Sequence, residues 1–172
     1  MEKIIRAQYK KALSMDDLRS ASNGRLQVFT YEDLYNIKHI DELFYPYNAC
    51  IILYQSTPNF GHWVTLIRRK NNTTDSLEHF DPYGVKIDDE LNGPNRMKFP
   101  KLLSRLILKS GIKTIISNVG RFQSQKALVN TCGRWALIRA LLKNKSLEEF
   151  TNLFHNQKLE PDFYVTALTM FI

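Results

Sequence analysis

Residues 49–84 read ACIILYQSTPNFGHWVTLIRRKNNTTDSLEHFDPYG, and this pattern predicts three consecutive β-strands. Ala49 to Tyr54 is a compact apolar run rich in isoleucine, which is typical of a buried strand. After a short turn, His62 to Arg69 forms the second predicted strand. A polar hairpin loop over 71–75 then leads to a third strand that ends at Asp81. We therefore expect antiparallel strands at the centre of the fold.

Helical patterns surround this predicted sheet. The main helix is expected to begin at Cys132, because Trp135, Ile138 and Leu142 lie on one apolar face. Further helices are predicted by an apolar repeat over 4–13, a capping box at 30–33, a stretch over 99–108 opened by a proline, a capping serine at 146 and an amphipathic stretch over 161–172. A short strand is predicted over 113–117. The sequence thus predicts one α+β domain over residues 1–172, with a mixed, mostly antiparallel sheet flanked by helices.

Composition and charge limit the classes of function. With 44% hydrophobic and 24% charged residues, the chain has the composition of a globular protein. It contains no run of about 18 apolar residues and no signal peptide, so we expect no membrane partner and no secretion. The net charge of +7 permits non-specific nucleic-acid binding, but the basic residues are scattered, which favours a plain solvated surface.

Cysteine and histidine usage argues against a metal or disulfide framework. Two cysteines, Cys50 and Cys132, are too few for a disulfide scaffold or a cysteine-ligated zinc site. Cys50 lies within the apolar strand and is expected to be a core residue. His39, His79 and His155 have no spacing that would build a metal site together. We therefore expect no metal and no cofactor.

Cys132 is the candidate nucleophile. It opens the predicted helix within Asn130-Thr131-Cys132-Gly133, where the unpaired N–H groups and the positive end of the helix dipole favour the reactive thiolate. Gly133 is expected to leave the space before the sulfur open to a substrate backbone, and the free N–H groups can stabilise an oxyanion. The ordinary alternative is an Asn-Thr cap followed by a small apolar filler.

His62 and Asp81 are the candidate base and its orienting acid. One lies at the start of a predicted strand and the other at the end of its antiparallel neighbour, so both are expected at the same edge of the sheet. A carboxylate there can fix the imidazole tautomer while the second ring nitrogen faces the thiol. The alternatives are a surface histidine and a turn-initiating Asp-Pro. The prediction requires the helix that begins at Cys132 to dock its N-terminus against this edge.

The order histidine, acid, glutamine, cysteine resembles that of the adenovirus protease and SUMO-specific protease family. The similarity lies in Gly61-His62-Trp63-Val64, in Phe80-Asp81-Pro82-Tyr83-Gly84 and in Asn130-Thr131-Cys132-Gly133. It spans about residues 49–143, with the acid 19 residues after the histidine and the cysteine 51 residues after the acid. The resemblance implies a cysteine peptidase fold with a Cys132, His62 and Asp81 triad.

The resemblance also implies a glutamine that helps to bind the oxyanion. Gln125, seven positions before Cys132, fits the family spacing better than Gln123, and both remain candidates beside the alternative of a polar loop residue. In this family the tryptophan after the histidine lies over the substrate channel and restricts it to glycine-like residues. Trp63 and Gly133 are therefore the expected substrate-binding residues.

The resemblance implies an endopeptidase that cleaves capsid or core precursor proteins of a virus or virophage. We expect a monomer that acts in the virion and the host cytoplasm, with stimulation by DNA left open by the basic charge. In this family the adenovirus protease is stimulated by a viral peptide that binds through a disulfide. The buried position expected for Cys50 makes such a link doubtful here. Two alternatives remain, namely a protease that removes ubiquitin or SUMO-like modifiers, and an inactive relative that binds DNA or serves as a scaffold.

Overall fold

A five-stranded mixed sheet forms the centre of the protein, in the order β1-β2-β3-β4-β5. The computed structural model describes residues 1–126, 128–155 and 157–172. The strands are β1 (Gln27–Thr30), β2 (Ala49–Thr57), β3 (Phe60–Lys70), β4 (Asp75–Phe80) and β5 (Thr114–Ser117). The three long strands β2, β3 and β4 run antiparallel, whereas β1 and β5 pair in parallel at the two edges. The predicted mixed sheet is confirmed.

Helices cover both faces of this sheet. Within the described residues the α-helices are α1 (Glu2–Ala7), α2 (Met15–Ala21), α3 (Leu102–Ser110), α4 (Cys132–Leu141), α5 (Leu147–Asn152) and α6 (Pro161–Thr169). Short 3-10 helices are formed by Gln8–Lys10, Glu32–Asn36, Ile40–Leu43 and Asp89–Asn92. The main helix begins at Cys132 as predicted. The Ser146 hydroxyl accepts a bond from the Glu149 amide, which confirms the predicted cap of α5. None of these helices has the length and apolarity needed to cross a bilayer.

The observed elements differ from the sequence predictions mainly near the N-terminus. The helix predicted over 4–13 ends at Ala7 and continues only as a 3-10 turn to Lys10. The helix predicted over 99–108 begins at Leu102, whose amide donates to the Pro100 carbonyl. Neither α2 nor β1 was predicted from the sequence. The strand β1, with four residues at the edge of the sheet, is too short to show a clear alternation.

Alternation of side chains along β2 divides the core between the two faces. Cys50 and Ile52 point to the face covered by α3, and Ile51 and Leu53 point to the face covered by α4. Since both faces are packed, nearly the whole of β2 is buried. This accounts for the continuous apolar run in its sequence.

A buried ion pair fixes α4 across the sheet. Arg139 of α4 donates from Nε to Oε1 of Glu78 at 2.6 Å and from Nη2 to Oε2 at 2.9 Å, and Glu78 lies on β4. Nearby, the Thr65 hydroxyl on β3 donates to the carbonyl of Ala136 at 2.7 Å. These contacts supply the docking of α4 that the sequence prediction required.

Candidate active site

The ends of β3 and β4 bring His62 and Asp81 together. The antiparallel register pairs Thr65 with Phe80, so the first residues of β3 lie beside the turn that follows β4. Nε2 of His62 is 2.9 Å from Oδ1 of Asp81. The two side chains are buried, with 2% of His62 and 0% of Asp81 exposed. Nδ1 is therefore the ring nitrogen left for a second partner.

The turn that follows Asp81 holds its carboxylate, and Asn118 holds its main chain. Oδ1 of Asp81 accepts a bond from the Tyr83 amide at 2.6 Å. The Asp81 amide donates to Oδ1 of Asn118 at 2.9 Å, and Nδ2 of Asn118 donates back to the Asp81 carbonyl at 2.6 Å. Asn118 was not predicted from the sequence. The available signal was its place directly after β5, because parallel strands such as β4 and β5 end at the same edge.

The Tyr83 ring covers the imidazole. The rings of His62 and Tyr83 are stacked, with centroids 4.4 Å apart and an interplanar angle of 16°. The Tyr83 hydroxyl accepts a bond from Nε2 of Gln123 at 3.1 Å. Burial and the nearby charge of Cys132 raise the pKa of Tyr83 to about 12, so the phenol stays neutral. The stack restricts rotation of the imidazole and excludes water from one of its faces.

Cys132, the first residue of α4, presents its thiol to His62. Burial by itself raises the pKa of this thiol, but the hydrogen bond and the charge of His62 lower it, and the net pKa lies below its ordinary value. Burial likewise lowers the pKa of His62, but hydrogen bonds and charges of Asp81 and Cys132 outweigh it and raise the pKa. Both directions favour a thiolate–imidazolium pair.

The loop before Cys132 is tied down by Asp162 of α6. Its carboxylate accepts bonds from the Thr131 hydroxyl, from Nε1 of Trp135 at 2.9 Å and from the Ser124 amide at 2.8 Å. Asp162 is buried, so these three donors satisfy a charge that would be costly to leave unpaired. One side chain thus fixes both the residue that precedes the nucleophile and the loop that carries the candidate glutamines.

Gln123 and Gln125 occupy different environments in that loop. Gln123 is buried, and its amide nitrogen donates to Tyr83 and, at 2.7 Å, to the carbonyl of Val129. Gln125 is exposed and lines a groove of about 380 Å³ together with Tyr83. Because an amide nitrogen has two donors, Gln123 has none left for a substrate, whereas the side chain of Gln125 faces an open groove.

Trp63 and Gly133 lie beneath the N-terminal strap, which we define as residues 8–13. Only 3% of Trp63 is exposed, and its Nε1 donates to the carbonyl of Leu13 at 3.0 Å. A Cβ atom on Gly133 would lie 3.1 Å from both the Leu13 Cβ and the Trp63 Cδ1. Instead of leaving open space, the absence of a side chain at Gly133 admits these two neighbours. The substrate-binding role of both residues stays a prediction.

Asn130 fastens the strap beside the candidate nucleophile. Its amide donates to the carbonyl of Tyr9 at 2.7 Å, and its Nδ2 donates to the carbonyl of Lys10 at 3.0 Å. Together with the bond from Trp63, these contacts hold the strap against the start of α4. Cys132 is consequently 7% exposed.

Glu90 adds a third ionisable group beside His62 and Asp81. One nitrogen or oxygen atom from each of the three side chains lies within 4.8 Å of the other two. His62 and Asp81 bond to each other, and Glu90 binds Arg96, so each of the three side chains already has a partner. Within the described residues no other cluster of this kind occurs. Glu90 was not predicted from the sequence as a neighbour of His62.

The remaining histidines and Cys50 lie away from this arrangement. His39 and His155 are exposed. His79 is buried, its ring nitrogens have no hydrogen-bond partner among the described residues, and burial lowers its pKa to about 4. Cys50 is a fully buried core residue, as expected, and burial raises the pKa of its thiol.

Comparisons with known proteins support the fold. No protein-family model matches the chain. The uncharacterized protein V9 of Sputnik virophage is 32% identical to it, over 94% of this chain and 95% of that protein. The crystal structure of the ASFV pS273R protease superposes with a TM-score of 0.54 and 15% identity, over 92% of this chain and 67% of that chain. Its selenomethionine form gives a TM-score of 0.51 and 17% identity. The chain therefore shares the fold of this cysteine protease.

Proposed function

The chain belongs to the same family as protein V9 of Sputnik virophage, and we propose that it is a cysteine endopeptidase with Cys132, His62 and Asp81 as its catalytic triad. One observation carries this proposal: a thiol at the N-terminus of α4 faces an imidazole whose Nε2 is 2.9 Å from a buried carboxylate. A merely structural cysteine would not need this charge arrangement.

In the proposed reaction, the Cys132 thiolate attacks the carbonyl carbon of the scissile peptide bond. The resulting oxyanion accepts bonds from N–H groups at the start of α4 and from the side-chain amide of Gln125. His62 then gives its proton to the leaving amine as the carbon–nitrogen bond breaks and a thioester forms. Water attacks the thioester with His62 as the base, which releases the acid and restores the thiol.

We infer that the preferred residue on the acyl side is glycine or a similarly small residue. Trp63, Gly133 and Leu13 pack closely beside Cys132. A large side chain next to the scissile bond would have to displace this packing, whereas a glycine backbone requires less room.

The proposed substrates are capsid or core precursor proteins of the virus that encodes the chain. The enzyme would then act as a monomer in the virion and the host cytoplasm, and DNA is a candidate activator because of the +7 charge. Incubation of the purified enzyme with recombinant capsid proteins tests this substrate class. Precursors that stay intact with enzyme that is active on a peptide would exclude it. A strong preference for whole ubiquitin or SUMO over a glycine-ending peptide would favour removal of such modifiers.

The catalytic assignment is tested by labelling with a thiol-reactive peptide probe. Wild type is expected to bind one equivalent, Cys132→Ala none, and His62→Ala to react much more slowly, since the imidazole supports the thiolate. His155→Ala is the matched control because His155 is exposed, and it should react like wild type. Unchanged labelling of His62→Ala would contradict the dyad, and no labelling of wild type would favour an inactive relative.

A further inference from the structure

The loop that carries Glu90 is built as a fixed structure beside the proposed triad. At its start, Asp88 is buried and accepts bonds from the hydroxyls of Tyr31 and Tyr54 at 2.8 and 3.0 Å and from the Ser104 amide at 2.9 Å. At its end, the Met97 amide donates to the carbonyl of Gln55 on β2 at 3.0 Å. Anchors on both sides fix the position of the short helix Asp89–Asn92 relative to the sheet.

Arg96 folds back onto Glu90 from the same loop. Nε and Nη2 of Arg96 donate to Oε2 of Glu90 at 3.1 and 2.6 Å. A Cβ atom on Gly93 would lie 3.0 Å from Cγ of Arg96, so glycine at this position leaves room for the fold-back. Both bonds go to one carboxylate oxygen, and the other oxygen is free of Arg96. The carboxylate therefore keeps part of its negative character towards His62.

We propose that Glu90 is a positioning residue that stabilises the protonated imidazole of His62, and that Arg96 limits the strength of this effect. A carboxylate within about 4–6 Å favours the charged form of a neighbouring base, and Glu90 lies within 4.8 Å of His62 and Asp81. The ionisable groups around the imidazole are Asp81, Cys132, Tyr83, His79 and Glu90, and Arg96 lies next to them through its bond to Glu90. Removing either member of the pair changes this balance in a known direction.

The consequence for catalysis rests on the proposed function, because the protonated imidazole is the proton donor to the leaving amine. Because Arg96 compensates part of the Glu90 charge, Glu90 favours the protonated form of His62 and still allows the proton to pass to the leaving amine. Glu90→Gln should therefore lower the pH at which activity is lost on the alkaline side, and Arg96→Gln should raise it. If Glu90 or Arg96 were needed only for packing, its replacement would lower activity at every pH and would not change the pH at which activity is lost on the alkaline side.

The test is an NMR titration of the His62 ring in the full chain, with the signal assigned by comparison with His62→Ala. Glu90→Gln is expected to lower the His62 pKa by about one unit, the lower end of the range for such neighbours, and Arg96→Gln to raise it. The controls Asp89→Asn and Arg105→Gln remove a negative and a positive charge, respectively, from exposed positions. They should leave the pKa of His62 unchanged.

Opposite shifts in the two variants support the proposal. Shifts in the same direction, or shifts no larger than those of the controls, would overturn it. Because the titration needs no substrate, it also separates this proposal from the proposed function. Opposite shifts in a chain without peptidase activity would keep the electrostatic assignment and refute only the enzyme assignment. Amide spectra of each variant show whether it is folded.

Discussion

Glu78 and Arg139 form the buried ion pair that joins the strand leading to Asp81 to the helix that begins at Cys132. Removing one partner of such a pair leaves an unpaired buried charge, which costs about 3–5 kcal/mol. We therefore expect Glu78→Gln to lower the free energy of unfolding by about this amount, as measured by chemical denaturation at neutral pH. Thiol labelling should fall with it, because α4 loses its docking to the sheet.

Glu2→Gln is the matched control for this charge. The ion pair of Glu2 with Arg6 is exposed, and exposed pairs contribute little to stability. An equal loss of stability in both variants would show that total charge, and not the docking of α4, sets the effect.

Replacement of Gln125 by alanine is expected to affect catalysis, whereas replacement of Gln123 is expected to affect stability. Gln125→Ala should lower kcat by about a hundredfold with a smaller change in KM, as for the loss of an oxyanion donor. Gln123→Ala removes the donor to Tyr83 and to the Val129 carbonyl, so its main effect should be a lower free energy of unfolding. Steady-state kinetics and denaturation of both variants check this, and the reverse pattern would assign the oxyanion role to Gln123.

Gly133→Ala should destabilise the protein by overpacking. The added methyl group would press against Leu13 and Trp63 at 3.1 Å, and such insertions cost about 1–3 kcal/mol. Gly120→Ala is the matched control, because an added Cβ there meets no atom within 4 Å and should change the melting temperature little. Equal melting temperatures for the two variants would contradict the close packing of the strap.

His79 should make the fold sensitive to mild acid. Burial lowers its pKa to about 4, whereas the unfolded chain binds this proton near pH 6.5. Between these values the unfolded state holds more protons, so stability falls as the pH falls, by on the order of 3 kcal/mol over the whole window. Denaturation of wild type and His79→Leu between pH 7 and 5 measures the effect, and the variant should show a much flatter profile.

The raised pKa of His62 acts in a separate window. The folded state binds this proton above pH 6.5 more strongly than the unfolded chain does, so the stability it adds is complete below that pH and is lost on the alkaline side.

The control for the prediction on His79 is His155→Ala, which should keep the acid sensitivity of wild type, since His155 is exposed. A flat wild-type profile between pH 7 and 5 would contradict the assignment to His79.

The sequence predicted the parts of this fold that depend on local patterns. The short hairpin loop between β3 and β4 placed His62 and Asp81 at one edge of the sheet, because strands joined by such a loop pair antiparallel. The start of α4 at Cys132 followed from the apolar face after it, whereas Thr131 before it does not cap the helix with its side chain and donates to Asp162 instead. These signals lie within a few residues of the positions that they predict.

Contacts between distant segments were not predictable in this way. Asn118 binds the main chain of Asp81 across a parallel pair of strands, and Asp162 reaches Thr131 from the last helix. Glu90 lies beside His62 only because its loop is anchored at both ends. Each of these residues is an ordinary polar residue in its own neighbourhood, and only the tertiary structure gives it a partner.

The N-terminal strap also affects the order of events during synthesis. Asn130 binds the carbonyl of Lys10, 120 residues earlier in the chain, so the surroundings of Cys132 are complete only when both segments are present and docked. A contact of such long sequence separation must close a large loop, and the entropy cost of this closure makes it slow to form. The thiol therefore reaches its reactive environment only after most of the chain has left the ribosome. A nascent chain would pass through translation with an ordinary, weakly nucleophilic cysteine.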